Sequence, residues 1–118
     1  MSDVRTRQLT ITESLVRAYS RRGNYHSDSD AAAELGLSGL IAQGLQVAGP
    51  AYGELLDAWG DEFLAHGEVD MKFVGVVMAG DTVGARVATD DGRATFEVVN
   101  ESAGRVAVVG SARASADV

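Results

Sequence analysis

The chain has 118 residues and no cysteine, with 46% apolar and 23% charged residues. This is ordinary globular composition for one domain, spanning 1–118, around one core; it argues against disorder and excludes disulfide scaffolds and thiolate metal sites. No apolar run approaches the roughly 20 residues that span a bilayer, and MSDVRTRQLTIT at the start has no apolar leader core, so a soluble, cytoplasmic protein is expected. The net charge of −7 is uneven: residues 1–22 carry five arginines and a net +3, whereas 23–118 carry a net −10. An acidic surface argues against general nucleic-acid binding, while the arginine-rich start leaves room for a local anion site.

In chain order, residues 6–11 read as a strand with Leu9 and Ile11 on one face. Thr12-Glu13 starts a helix to Arg21, with Leu15, Ala18 and Tyr19 at helical spacing, and Gly23-Asn24 ends it. Ser27 is a candidate N-cap, with Asp30 three positions on, for a short helix over 31–35. Across 40–64, Ile41, Leu45, Ala48, Tyr52, Leu55, Trp59 and Phe63 step by three and four residues, and Val47, Ala51 and Leu56 widen the apolar surface. The spacing predicts one long, deeply buried helix, kinked by Pro50. His66 beside Gly67 reads as its C-terminal cap. Glu54, Asp57, Asp61 and Glu62 read as its exposed side.

After Gly67 the period changes to two. Val69, Met71, Phe73, Gly75 and Val77 alternate over 68–78, and Val83, Ala85 and Val87 over 82–89. Asp90-Asp91-Gly92 is a turn, 93–99 a strand, 100–104 a turn containing Asn100, and 105–114 a last strand. Asp81 reads as a turn residue. The expected class is therefore α+β: a curved antiparallel β-sheet wrapped around a long central helix, the arrangement of a single hot-dog domain.

The motifs Asn24-Tyr25-His26-Ser27-Asp28, Ala31-Ala32-Ala33 with Gly36, and Gly39-Leu40-Ile41-Ala42-Gln43-Gly44 resemble one family block. It is the signature of the MaoC-like hydratases and dehydratases: D-x-N-P-x-H-x-D, a short helix, then G-x-I-x-H-G opening the central helix. Phe73 to Val83 resembles the family's P-V-x-x-G-D-T stretch, and Val99-Asn100-Glu101 through Gly104-Arg105-Val106 its N-Q-x-G-x-x-V hairpin. The resemblance covers about the whole chain.

It implies a hydro-lyase acting on an enoyl or 3-hydroxyacyl thioester carried by coenzyme A or an acyl carrier protein. No cofactor or metal of the protein's own is expected, and neither histidine has a partner at metal-ligand spacing. The chemistry needs an acid, a base and N–H groups that polarise the thioester carbonyl. His26 matches the catalytic histidine; without the motif it is a polar residue capping the following helix. Gly44 matches the carbonyl-binding glycine, and tight packing of the central helix on the sheet is its other reading. The family's aspartate, five residues before the histidine, is Arg21 here, and arginine is no base at neutral pH. Asp28 is the nearest replacement carboxylate, or else it stabilises a helix start.

Arg21 or Arg22 can bind a substrate carboxylate or carrier phosphate, or form a solvated helix end. Gly23 and Asn24 stand where the family has Asn and Pro, and a one-residue shift returns Asn24 to the asparagine role. Gln43 replaces the second histidine and can hydrogen-bond without titrating. Tyr25, like Tyr19 and Tyr52, is a candidate pocket hydroxyl, with core packing the default for Tyr52.

Arg21 also keeps two alternatives open: a specialised cyclisation, isomerisation or related proton transfer, and a non-catalytic subunit of a heteromeric hydratase. A thioesterase fits the fold but not the motif. By resemblance, a homodimer is expected, with no membrane or nucleic-acid partner.

Overall fold

The computed structural model describes residues 2–19 and 41–116. Strand β1 (Ser2–Thr10) leads into helix α1 (Glu13–Tyr19). After the undescribed segment come α2 (Gly44–Val47), α3 (Gly49–His66) and four strands: β2 (Glu68–Phe73), β3 (Thr82–Asp90), β4 (Arg93–Asn100) and β5 (Arg105–Arg113). The sheet is antiparallel throughout, in the order β1-β3-β4-β5-β2. It packs against the helices as the expected hot-dog domain.

Period-two patterning decides which face of the sheet is covered. Val83, Ala85 and Val87 of β3 and Ala94, Phe96 and Val98 of β4 are buried, together with Ala51, Leu55 and Phe63 of α3. The β3–β4 connection is a two-residue turn, with Asp91 at φ 49° and Gly92 at φ 77°. Positive φ at both positions matches the right-handed twist of the flanking strands, which is why Asp-Gly suits it. Thr12 starts α1 as expected, its Oγ1 accepting from Leu15 N at 3.1 Å. Among the described side chains of that helix, Val16 is fully buried and Leu15 is exposed.

The expected helix over 40–64 is divided. Ile41 makes an isolated bridge with Met78, and the helix opens only at Gly44. Pro50 sits in the first turn of α3 and kinks no helix interior. Its missing N–H would have had no intrahelical acceptor there, so proline starts this helix at no hydrogen-bond cost. A second break falls at Gly60, whose φ of 60° and ψ of −139° are open to glycine and strained for other residues. The helix is also less buried than expected, with Leu45, Leu56 and Leu64 exposed. Gly67, in extended conformation, is the C-cap, its N–H reaching Phe63 O at 2.8 Å; His66 lies in the last turn.

The charged residues of β1 and α3 correct a second expectation. Glu54 is buried, not on an exposed side, and accepts from Arg7 Nε at 2.9 Å; Arg7 also pairs with Asp57, and Arg5 Nη1 lies 4.0 Å from Glu54. Arg5 and Arg7 share the strand parity of Leu9 and therefore face α3. Their charge is matched internally, so these two do not form the anion site that the arginine-rich start suggested. Inward-facing charge also makes this edge strand a poor template for another strand.

Candidate active site

The alternation expected over 68–78 does not continue as a strand to Val77: β2 ends at Phe73, where the chain turns across β5. Val74 N and Gly75 N both reach Ala107 O, at 2.8 and 3.2 Å, next to the register shift of β4 against β5 at Val98/Val99. A methyl group on Gly75 would lie 2.6 Å from the Val106 carbonyl oxygen, which is backbone and cannot yield. The crossing segment 74–81 then runs beside the start of α2. Ala42 N donates to Val77 O at 2.8 Å, and Ile41 bridges Met78. These contacts fix the two residues preceding Gln43 and Gly44.

A groove of about 410 Å³ opens there, lined among others by Gln43, Gly44, Leu45, Phe73, Val76 and Val108. Gln43 is the extended N-cap residue of α2, at φ −70° and ψ 147°, and its side chain caps nothing. Gly44 opens the helix, so its N–H has no acceptor within it. The Phe73 ring lies against Gly44: a methyl carbon there would be 2.6 Å from Phe73 Cε1. Close packing is thus one reason for the glycine, and the N–H remains without an acceptor within the helix. Gln46 ties α2 to α1 through its Nε2, which donates to Leu15 O at 2.8 Å.

Among the described residues that line the groove, none titrates. The walls are apolar, with a side-chain amide and backbone groups as the polar elements. Such a surface takes an apolar chain and orients a carbonyl, but it needs an acid and a base from elsewhere. The expected candidates for that work, His26 and Asp28, lie outside the described residues, as do Arg21, Asn24, Tyr25 and the short helix over 31–35. Gln43 and Gly44 are thus the site residues that the structure places, and it places them together.

Leu45 was legible as part of a helical apolar repeat, and Phe73 and Val76 as members of the stretch from Phe73 to Val83, but not as groove residues; at and beyond the end of β2, Phe73 and Val76 are 52% and 51% exposed. Asn100, expected as a turn residue, closes β4 and heads the 101–104 turn, its O accepting from Gly104 N at 2.8 Å, and it is buried to 1% exposure. Tyr52 packs beside Phe63, ring centroids 6.4 Å apart, and burial raises its phenol pKa above the ordinary 10.0. That agrees with core packing. A larger cavity of about 840 Å³ at the β3–β4 hairpin end shares no lining residue with the groove, and its Arg113 pairs with Glu68. Among the described residues, no three histidine, aspartate or glutamate side chains cluster as metal ligands, and no helix is long and apolar enough to cross a membrane.

Comparison with known proteins bears on the family and the fold. The family model described as "MaoC like domain" matches residues 2–110, and the chain belongs to this MaoC-like hydratase/dehydratase family. The fold superposes on an (R)-hydratase from A. caviae involved in PHA biosynthesis with a TM-score of 0.77 and 21% identity, covering 94% of this chain and 92% of that one. An R-hydratase from Pseudomonas aeruginosa gives a TM-score of 0.74 at 21% identity, over 94% and 77% of the two chains. A 3R-hydroxyacyl-ACP dehydratase complex from Mycobacterium tuberculosis gives 0.69 at 19%, over 95% and 92%. A search of curated protein sequences finds no match.

Proposed function

We propose that the protein is a hydro-lyase that adds water to an enoyl thioester or removes it from a 3-hydroxyacyl thioester. In this reading it acts in the cytoplasm as a homodimer, on substrates carried by coenzyme A or an acyl carrier protein, without a cofactor of its own. The observation that carries the reading is the apolar groove opening beside Gln43 and Gly44. Its walls suit an acyl chain, and the Gly44 N–H, which has no acceptor within its helix, suits a thioester carbonyl whose oxygen gains charge during proton transfer at the α-carbon. His26 supplies acid/base catalysis, since no described groove residue titrates and the sequence motif assigns that role to it. Asp28 is the carboxylate proposed to share the proton transfers. Arg21, Asn24, Tyr25 and Gln43 are proposed to contact substrate. Exposed Leu45, Phe73 and Val76 at the groove support a second copy covering this face.

A second reading rests on Arg21, which stands where the family carries its aspartate. A cation beside His26 would favour the neutral imidazole, which suits a base and weakens an acid. That favours a specialised proton transfer, or a subunit that depends on a second chain. Turnover of crotonyl-CoA and longer trans-2-enoyl-CoA, followed by loss of enoyl absorbance, separates the readings. Hydration by wild type and at least about a hundredfold loss in His26→Ala, with thermal stability retained, is the expected result. Absence of turnover by folded wild-type protein overturns the hydro-lyase reading for these substrates.

A further inference from the structure

Asn100 has an amide side chain buried to 1% exposure at the junction of three segments. Its Nδ2 donates to Val76 O at 3.2 Å and to Asp81 Oδ2 at 2.9 Å, and its Oδ1 accepts from Ala103 N at 3.2 Å. Asp81 Oδ2 also accepts from Met78 N at 3.0 Å, closing the 78–81 turn. The same turn is tied to the end of β1, with Ile11 N reaching Asp81 O at 2.8 Å and Gly80 N reaching Ile11 O at 2.6 Å. Both protons of the buried amide are thus spent on the crossing segment that forms one wall of the groove.

The neighbouring carbonyl matters most for the site. Val77 O, one residue beyond the held Val76 carbonyl, accepts the Ala42 N–H two residues before Gly44. We propose that Asn100 and Asp81 are positioning residues: they hold the 76–81 segment, and through the Val77–Ala42 bond they set where the helix start carrying Gly44 lies. Neither touches substrate. The catalytic consequence rests on the proposed function, whereas the positioning rests on the hydrogen bonds alone.

Asn100→Asp keeps the shape and replaces the donor by an acceptor facing Asp81. Asp81 is the carboxylate that contacts Asn100, while Glu101, next in the chain, is engaged by Gln8 Nε2 at 2.7 Å. Two facing carboxylates cannot both ionise cheaply, so a shared proton restores one donor at low pH. The readout is the hydrogen-exchange protection factor of the Ala42 amide against that of Val87 in β3, in the full chain at pH 5 and pH 8. At pH 8 Ala42 is expected to lose about tenfold more protection than Val87, with the gap narrowing at pH 5. The exchanged pair Asp81→Asn with Asn100→Asp removes the carboxylate repulsion but leaves no donor for Val76 O, so Ala42 is expected to stay below its wild-type protection.

In activity, Asn100→Asp is expected to lower kcat by about tenfold at pH 8 with a smaller change in KM. Equal loss at Ala42 and Val87 marks a general stability effect and overturns the inference, as does full wild-type protection of Ala42 in the exchanged pair. Selective loss at Ala42 in a protein whose wild type hydrates no enoyl thioester upholds the positioning and overturns the hydro-lyase reading.

Discussion

Replacing Arg7 by Met tests whether the ion cluster between β1 and α3 anchors the edge strand. Arg7 Nε lies 2.9 Å from Glu54 Oε1, and the Glu54 side chain is only 10% exposed. Methionine retains much of the apolar stem but leaves a buried carboxylate with Arg5 Nη1 at 4.0 Å as its remaining cation in the cluster. Breaking a fully buried pair costs about 3–5 kcal/mol. The Arg7 side chain is 41% exposed, so solvent screens part of the interaction, and about 2 kcal/mol is expected instead. At about 4 °C per kcal/mol, the melting temperature should fall by about 8 °C. Glu54→Gln keeps an acceptor for Arg7 and should cost about 1 kcal/mol. A double-mutant cycle on urea unfolding should then show coupling of about 1 kcal/mol.

The Arg7 pKa is raised, first by its hydrogen bond to Glu54. A raised base stabilises fully below its unfolded pKa, and that contribution fades only as pH rises through the folded value. Arg7 therefore stays charged across the working range, and mutation is the right perturbation. A loss below about 0.5 kcal/mol in Arg7→Met, with no coupling to Glu54, would refute the anchoring argument.

Three further outcomes are expected. Leu55→Ala empties a fully buried position on α3 and should cost about 3 kcal/mol in urea unfolding. Tyr52→Phe should flatten the alkaline limb of the stability profile: a raised phenol pKa makes the folded state lose stability as pH climbs past 10, and a loss unchanged in the variant would assign it elsewhere. In sedimentation, wild type should run as a dimer and Phe73→Glu should shift it toward monomer, because a charge there meets the exposed apolar cluster; a monomeric wild type would contradict the proposed assembly.

Period and turn chemistry are local properties, so the sequence by itself determined the strands over 82–90, 93–100 and 105–113, the Asp91-Gly92 hairpin and the start of α1 at Thr12, whereas the alternation expected over 68–78 holds as a strand only to Phe73. Its motif order also pointed to the family and to Gln43 and Gly44 as neighbours at a helix start. Contacts between distant residues leave no such local trace. Glu54 reads as one more acidic residue on a polar helix side until β1 lays Arg7 beside it, 47 positions away in sequence. Apolar steps through 40–64 conceal that Ile41 is held by Met78 and that Pro50 begins a second helix. Asn100 resembles any turn asparagine until packing closes over it and its amide must find partners in another segment. Only the tertiary structure decided which polar groups were removed from water, because burial is a property of the assembled layers and not of any one stretch of chain.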